Sequence, residues 1–393
     1  MRLQFSRFSI DEPSNFVIEP PINAAIPATS WALDDLGLSS SGIGWGFNGP
    51  LANMGEFFER RHFRNSVVSQ KNCRLESALL EVECMEWFRA FIQTSGATSQ
   101  EISTHQFPMT LVHKLDGSQS YVPTACIRLS RTAGHVHDDF YPFRDTSGCS
   151  LHISAEKSAL GAVREQIERQ SLLVFWLTRA AGTRIAGDLV SSALESVTEL
   201  RRKLSRQGQL DVFDITLPGF PGFTILIIYT GGEKSIVKYC PGISYDLDIR
   251  SAMVKAFLEL WQSYTFLVAM KSKGGDESSV TDRYHKYFLE CNTPEVAALM
   301  CGGDRFVYRD RDIALRFSAD DVWRHLAKTT PISYLYSVKE QVGPHSFYAS
   351  KFLSPSLFLH MDNANGNNLD NKLSKDHRLE FIPERIGTMV PFP

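Results

Sequence analysis

Residues 55–60 read GEFFER, and residues 162–169 read AVREQIER. Both stretches contain Glu-x-x-Glu-Arg, formed by Glu56, Glu59 and Arg60 in the first copy and by Glu165, Glu168 and Arg169 in the second. Residues at i, i+3 and i+4 share one face of an α-helix, so each copy directs two carboxylates and a guanidinium to a common point. The pattern predicts two helices, 52–65 and about 154–178, that together suit a metal-bound polyphosphate.

One copy by itself is best explained as a solvated ion-pair face, where each pair contributes only about 0.2 to 0.5 kcal/mol. Apolar residues continue both faces, however, with Phe63 after the first copy and Leu172 and Trp176 after the second. Both faces are therefore predicted to run into the interior, where a carboxylate needs a positive partner. Mg²⁺, which keeps water and phosphate oxygens as ligands, and arginine, which donates to phosphate in a fork, meet this need.

The composition is that of a soluble globular enzyme. The chain has 393 residues, of which 43% are hydrophobic and 22% charged, and its formal net charge is −3. The charge and the lack of a basic stripe argue against nucleic-acid binding. Seven scattered cysteines without a C-x-x-C pair favour reduced thiols in the cytoplasm. Neither a signal peptide nor an apolar run of about 20 residues is recognisable, so no membrane association is expected.

The remaining patterns predict a mixed α/β fold. Residues 1–50 are rich in Pro, Ser and Gly and are expected to be irregular. A periodic apolar surface predicts a helix over 75–94 that packs on a sheet supplied by strands 121–129, 212–216 and 223–229. Its apolar residues are Leu79, Leu80, Val82, Met85, Trp87, Phe88 and Phe91. Residues 362–377, dense in Asn, Asp, Gly and Lys, are expected to form an exposed loop or mobile segment.

A further predicted helix, 249–269, carries Glu259 and Gln262. The same face displays the small residues Ala252, Ala256 and Ser263, which would leave room for a ligand. An ordinary helix with an exposed glutamate fits the pattern equally well.

Two other motifs are candidate ligand sites. His135 and His137, followed by Asp138 and Asp139, have the spacing of zinc ligands, but the surrounding glycine and acids favour an exposed turn. The glycines of residues 42–46 do not follow a predicted strand and lack the later acid of a dinucleotide-binding fingerprint.

Taken together, the two Glu-x-x-Glu-Arg helices, the Glu259-x-x-Gln262 pair and the Pro-rich end at 391–393 resemble the YcaO family. The order and spacing of these features cover essentially the whole chain. The phrases FERRHF (58–63), ERQSLL (168–173) and FDITLPG (213–219) are most similar to the members found in microcin-B-type azole synthetases.

The resemblance implies a single YcaO domain over residues 1–393, with an irregular segment at 1–50 and a loop and tail at 362–393. It implies an ATP- and Mg²⁺-dependent cyclodehydratase that phosphorylates a backbone amide oxygen of a ribosomal precursor peptide, so that Cys, Ser or Thr becomes thiazoline or oxazoline. Two alternatives stay open: a non-catalytic, ATP-binding assembly subunit, and a YcaO enzyme that forms thioamides.

The resemblance also implies site residues. It assigns magnesium binding to Glu56, Glu59, Glu165 and Glu168. It assigns nucleotide binding to Arg60, Ser150, Arg169, Glu259 and Gln262. The carboxylate of Pro393, with Pro391, would position the substrate or act as a base, whereas a Pro-rich end without the resemblance would be taken as frayed.

The sequence departs from the family in two places. Many members carry Gly-Lys-Gly before the first helix, whereas residues 42–46 read GIGWG and offer no lysine to phosphate. Ala52 occupies a position that is often serine. No stretch resembles a peptide-recognition module, so a partner is expected to bind the leader. The resemblance implies that this partner is a leader-binding E1-like subunit, and that an FMN-dependent azoline dehydrogenase is a further partner.

Overall fold

The computed structural model describes residues 15–19, 26–33, 39–45, 48–130, 139–141, 143–179, 182–272, 280, 282–301, 306–307, 315–342 and 345–393. The chain divides into two compact units, each assembled from separate stretches of sequence. Among the described residues, unit 1 comprises Gly55–Leu173 and Ala319–Met389, and unit 2 comprises Pro13–Met54, Val174–Ser318 and Val390–Pro393. His135 and His137 lie outside the described residues.

The α-helices are Asn48–Asn65 (α1), Glu81–Ser95 (α2), Ser99–Thr104 (α3), Ala155–Leu177 (α4), Gly187–Ala193 (α5), Thr198–Ser205 (α6), Ile249–Ser272 (α7), Arg283–Glu290 (α8), Pro294–Cys301 (α9), Ala319–Thr329 (α10) and Lys372–Asp376 (α11). In the described part of the chain, none of them is long and apolar enough to cross a bilayer.

The strands are Asn15–Glu19 (β1), Ala28–Leu33 (β2), Ser39–Gly44 (β3), Lys71–Cys73 (β4), Phe107–Lys114 (β5), Gln119–Pro123 (β6), Cys149–His152 (β7), Gly182–Arg184 (β8), Gly208–Asp214 (β9), Phe223–Gly231 (β10), Tyr239–Asp246 (β11), Phe306–Val307 (β12), Tyr334–Val342 (β13) and His345–Leu353 (β14). The predicted mixed α/β class is confirmed.

Unit 1 is built on a six-stranded sheet in the order β4-β5-β13-β14-β7, with β6 paired to β5. Its core gathers aromatic side chains from helices and strands, among them the fully buried Phe63, Trp87, Phe107 and Tyr334. Burial of this much apolar surface is the main stabilising contribution to the unit.

Unit 2 holds a five-stranded sheet in the order β11-β10-β9-β8-β12 and a three-stranded sheet in the order β1-β2-β3. The central strand β10 is buried from Phe223 to Tyr229, which explains why its sequence is continuously apolar and does not alternate. The predicted strands 212–216 and 223–229 and the predicted helix 249–269 are confirmed by β9, β10 and α7.

Both motif helices are confirmed. The Ser154 hydroxyl accepts a hydrogen bond from the Lys157 backbone N–H at 3.4 Å, as expected for the residue that caps the start of α4.

The helix predicted over 75–94 differs more from the structure. Leu75–Ser77 is a separate 3₁₀ turn, and α2 starts only at Glu81. Leu80, Val82 and Met85, predicted to be on its apolar face, are exposed by 56 to 62% because the buried stripe runs through Trp87 and Phe91 instead.

Two other predictions were wrong in their details. The strand predicted over 121–129 ends at Pro123, because Thr124–Cys126 turn into a 3₁₀ helix. The segment 1–50, predicted to be irregular, contains strands β1 to β3. Its glycines allow close packing, since a Cβ on Gly42 would lie 2.4 Å from the Asn53 backbone nitrogen of α1.

The small residues of α7 have a packing role. A Cβ on Gly242 of β11 would lie 2.2 Å from the Ala256 carbonyl oxygen and 2.4 Å from the Leu260 nitrogen. Strand and helix therefore touch along this face, so the small side chains permit a close approach of backbones and do not leave room for a ligand.

Many residues of the stretch 362–377 are buried or half-buried, contrary to the predicted exposure. Asn368 is 0% exposed. Its amide Nδ2 donates to the carbonyl oxygens of Leu357 at 2.7 Å and Pro355 at 3.2 Å, and its Oδ1 accepts from the Leu359 N–H at 3.0 Å. The segment is polar because its side chains satisfy backbone groups that are removed from water.

We therefore expect Asn368→Ala to lower the free energy of unfolding by roughly 2 to 4 kcal/mol, because it leaves three buried backbone groups unsatisfied. Urea denaturation of the variant measures this loss. Asn72→Ala on the exposed side of β4 is the matched control and is expected to change stability by less than about 0.5 kcal/mol. Equal stability of the two variants would contradict a structural role for the buried asparagine.

Candidate active site

Both Glu-x-x-Glu-Arg motifs belong to unit 1. Helix α1 carries Glu56, Glu59 and Arg60, and helix α4 carries Glu165, Glu168 and Arg169; all six side chains are half-buried. Further along each face the structure buries the predicted apolar residues, with Phe63 and Leu172 at 0% and Trp176 at 4% exposure. The charged positions thus lie between the interior and solvent, where a ligand could reach them.

Glu59 on α1 is affected both by burial and by a neighbouring carboxylate. Its removal from water, followed by the neighbouring charge of Glu56, raises its pKa to about 8. Arg60, Lys351 and a hydrogen bond with the Leu151 backbone oppose this rise. Arg60 is also held by an ion pair with Glu56. Without a bound metal ion, Glu59 is therefore largely protonated at neutral pH.

Glu165 on α4 shares the same electrostatic environment. Burial and then the charge of Glu59 raise its pKa well above the ordinary value, with further contributions from Glu168 and Asp145, while Arg169 opposes the rise. The two helices therefore bring Glu59 and Glu165 close enough that a charge on Glu59 disfavours ionisation of Glu165. This is a direct structural link between the two copies of the motif.

Lys351 is a member of this charged group that the sequence analysis missed. It lies on β14, is 6% exposed, and donates from Nζ to the Asp145 carbonyl oxygen at 3.0 Å. Its charge lowers the pKa of Glu59, so it is a built-in counter-ion. The sequence carries little signal for this role, because both faces of β14 are buried here: Ser350 and Phe352 are at 0% and 1% exposure beside Ala349 and Leu353.

Asp145 was also missed. Its carboxylate accepts from the backbone N–H groups of Met361 at 2.6 Å and Ser147 at 3.0 Å. It fixes the loop that leads into β7 while adding negative charge beside Glu165. The sequence gives little warning of this role, since an aspartate in a polar loop is usually exposed.

Ser150, predicted to lie near the nucleotide, is placed on β7 against the second motif helix. A Cβ on Gly161 of α4 would come within 2.4 Å of its hydroxyl oxygen. Ser158 of the same helix donates to the Ser150 carbonyl at 3.1 Å and to the Tyr348 carbonyl at 2.7 Å. The neighbouring Cys149 is a protonated thiol, because burial raises its pKa well above the ordinary value.

Glu259 and Gln262 lie in unit 2 and are both engaged within it. Glu259 accepts from the Ile243 N–H at 2.8 Å, and the Gln262 amide donates to the Ser41 hydroxyl of β3. Glu259 is therefore not a simple exposed glutamate.

The Pro-rich end is packed within unit 2. The Tyr239 hydroxyl donates to the Pro391 carbonyl oxygen at 2.8 Å. Val390 and Phe392 are each 3% exposed, while Pro393 is half-buried. The alternative of a frayed end does not apply to this tail.

The donor chemistry fits magnesium. Among the described residues, no three Asp, Glu, His or Cys side chains are grouped so that they alone could hold a metal ion. Mg²⁺ does not require such a group, because it uses one or two carboxylates and completes its octahedron with water and phosphate oxygens. Half-buried carboxylates with raised pKa values would be stabilised by a divalent cation.

Sequence and structure comparisons agree on the family. Residues 53–331 match the YcaO family, described as a cyclodehydratase that binds ATP and Mg²⁺. The microcin B17-processing protein McbD of Escherichia coli is 32% identical over 387 residues, which is 97% of either chain.

Solved structures are similar over the same length. A chain of the E. coli microcin synthetase McbBCD complex matches with a TM-score of 0.89 and 31% identity over 99% of both chains, and the same complex with pro-MccB17 bound gives 0.90 with the same identity and coverage. YcaO from Methanopyrus kandleri bound with AMPPCP and Mg²⁺ shares the fold at 12% identity and a TM-score of 0.56, covering 95% of this chain and 90% of that one. The chain described here therefore belongs to the YcaO cyclodehydratase family.

Proposed function

We propose that this protein is the cyclodehydratase of a microcin-type synthetase and forms thiazoline or oxazoline rings from Cys, Ser or Thr of a ribosomal precursor peptide. The end-to-end match with the E. coli processing protein supports this reaction class. The observation that carries the proposal is the crowding of Glu59 and Glu165 in unit 1, which creates a demand for positive charge. ATP would supply the phosphoryl group, and Mg²⁺ would stabilise its negative charge.

The chemistry explains why phosphate handling matters. The substrate side chain attacks the preceding carbonyl carbon, and the resulting oxyanion accepts the γ-phosphoryl group of ATP, releasing ADP. Loss of phosphate and of the amide proton then forms the C=N double bond of the azoline, so the peptide loses one water for each ring. In this scheme Glu59 and Glu165, assisted by Glu56 and Glu168, would hold Mg²⁺.

The arginines would contact phosphate. Arg60 and Arg169 each lie one position after a motif glutamate, on the same helix face. Their forked donors match phosphate oxygens better than a lysine would, and such contacts stabilise charge that develops during phosphoryl transfer. Ser150, on the strand beside α4, would add a hydroxyl contact to the nucleotide.

Three further assignments complete the proposal. Glu259 and Gln262 would contribute to nucleotide binding. Because residues 42–46 contain no lysine and position 52 is alanine, other residues would make the phosphate contacts on that side. The carboxylate of Pro393, placed by the Tyr239–Pro391 hydrogen bond, would orient the substrate or accept its proton. The single-domain organisation of residues 1–393 stays a prediction.

The proposed setting is a cytoplasmic heteromeric complex. The solved complex with a similar chain, named McbBCD, contains pro-MccB17 in one of its structures. By analogy, a leader-binding E1-like subunit would present the precursor peptide, and an FMN-dependent dehydrogenase would oxidise the azolines.

The proposal predicts that Glu168→Gln and Arg169→Lys lower ATP-dependent ring formation by about 10² fold or more. Glu168→Gln removes a carboxylate that would hold Mg²⁺, and Arg169→Lys keeps the positive charge but removes the forked donors to phosphate. Intact-mass analysis of the peptide, together with ADP release, measures the effect in the assembled complex. Glu156→Gln, on the exposed first turn of α4, is the matched control and should retain full activity.

The same assay separates the alternatives. An assembly subunit would tolerate Glu168→Gln with unchanged ring formation. A thioamide-forming enzyme would exchange oxygen for sulfur, which raises the peptide mass, whereas cyclodehydration removes water.

The raised pKa of Glu59 predicts a pH dependence. Between the ordinary value of 4.5 and about 8, the folded metal-free protein holds a proton that the unfolded chain has lost, so this group contributes less stability as the pH rises through that range. Binding of Mg²⁺ with a non-hydrolysable ATP analogue must displace the proton, so its affinity should rise by up to about tenfold per pH unit between 6 and 8 and then level off.

Calorimetric titration in buffers of different ionisation enthalpy measures both affinity and proton release. Glu59→Gln should weaken binding and flatten its pH dependence, and Glu156→Gln should change neither. Proton release that is the same with and without the Glu59 carboxylate would show that this group does not titrate with the ligand.

A further inference from the structure

A cavity of about 800 Å³ lies within unit 2, between the end of α6, the β10–β11 turn and the outer face of α7. Its volume is within the range of about 300 to 1,000 Å³ of ligand pockets. The cavity is separate from the faces that carry the proposed nucleotide residues of α7, because Glu259 and Gln262 do not line it. The side chains around it have two distinct properties.

The rim is basic. Lys203 and Arg206 come from α6 and the residue that follows it, and Lys234 comes from the β10–β11 turn; Glu233 is the single carboxylate of the lining. Within the described part of the chain, none of these three cations has a carboxylate within ion-pair distance. Their positive charge is therefore available to an anion.

The floor of the cavity consists of aliphatic and aromatic side chains, but neither aromatic ring exposes a face to a ligand. Trp261 and Tyr264 stack on one another with centroids 5.4 Å apart, and they are only 4% and 8% exposed. Lys203 Nζ lies 5.1 Å from the Trp261 ring centroid. Ile236 instead is 52% exposed at the edge of the cavity, and Val268 is half-buried beside it.

This combination distinguishes between ligand classes. Single-stranded nucleic acid uses accessible aromatic faces on which bases stack, and here the rings are covered. An acidic polypeptide segment needs cations for its carboxylates and aliphatic surface for its side chains, and both are present. Lys203 is also partly desolvated, which lowers its pKa. A bound carboxylate would therefore stabilise the charged ammonium group.

We infer that the cavity bordered by Lys203, Arg206, Lys234 and Ile236 is a docking site for an acidic segment of a partner polypeptide that carries aliphatic side chains. Carboxylates of the segment pair with the three rim cations, and an aliphatic side chain packs against Ile236 and Val268. Such contacts guide association and fix register, and they weaken as salt concentration rises.

The test uses the full-length protein and a fluorescein-labelled peptide in which Asp and Glu residues flank a Leu-Ile pair. The matched peptide has Asn and Gln in place of the acids. Fluorescence anisotropy should show saturable binding of the acidic peptide, weakened at least tenfold in the Arg206→Glu/Lys234→Glu double variant. Both positions are exposed, so the fold should tolerate the change.

Lys328→Glu on the exposed face of α10 is the control for a charge reversal outside the cavity and should bind like the parent protein. Two further variants separate the contributions: Lys203→Met keeps the apolar stem and removes the charge, and Ile236→Ser removes the aliphatic contact without adding a charge. Each should weaken binding. The assay needs neither ATP nor Mg²⁺, so its result is independent of the proposed catalytic function.

Equal binding of the acidic and neutral peptides, or undiminished binding by the double variant, would overturn the inference. Tighter binding of a labelled single-stranded RNA of the same charge, lost in the same variants, would also overturn it and assign the cavity to nucleic acid.

Discussion

Crowding of carboxylates at a partly desolvated place is the constraint on which the proposed site depends. Burial raises the pKa of Glu59 and of Glu165, and a neighbouring carboxylate raises each further: Glu56 acts on Glu59, and Glu59 acts on Glu165. A fold that places several acids together retains either protons or cations there. The structure contains both responses: a pKa near 8 at Glu59, and a buried lysine, Lys351, that offsets part of the negative charge. The remaining demand for positive charge is what makes the place suited to Mg²⁺.

The surrounding packing holds this charge in position. Ser154 starts α4, Gly161 lets the Ser150 hydroxyl approach the helix, and Ser158 ties the helix to two strands of the unit 1 sheet. Lys351 reaches the loop carbonyl of Asp145 from the neighbouring strand. The acids therefore lie on rigid elements, which limits how far they can separate to relieve repulsion and keeps them arranged for a cation.

Sequence patterns predicted the helices well because their signals are local. Spacing at i, i+3 and i+4 placed Glu165, Glu168 and Leu172 on one face, and the capping serine at 154 marked where the helix begins. Patterns failed where long-range packing decides the outcome. Nothing local shows that Asn368 is buried, because its hydrogen-bond partners are backbone groups brought together by the fold. Lys351 was overlooked because both faces of β14 are buried around it, so alternation along the strand does not distinguish it. Ala256 was taken as space for a ligand, whereas it permits contact with Gly242.

The most direct test of the account is the position of the metal. Crystals of the protein, alone or in its complex, with Mn²⁺ replacing Mg²⁺ and with a non-hydrolysable ATP analogue would locate the ion by anomalous scattering. The account predicts an anomalous peak in direct contact with the Glu59 or Glu165 carboxylate, lost in the Glu59→Gln/Glu165→Gln double variant. A nucleotide-bound metal that touches neither carboxylate, or one that persists in the double variant, would contradict it.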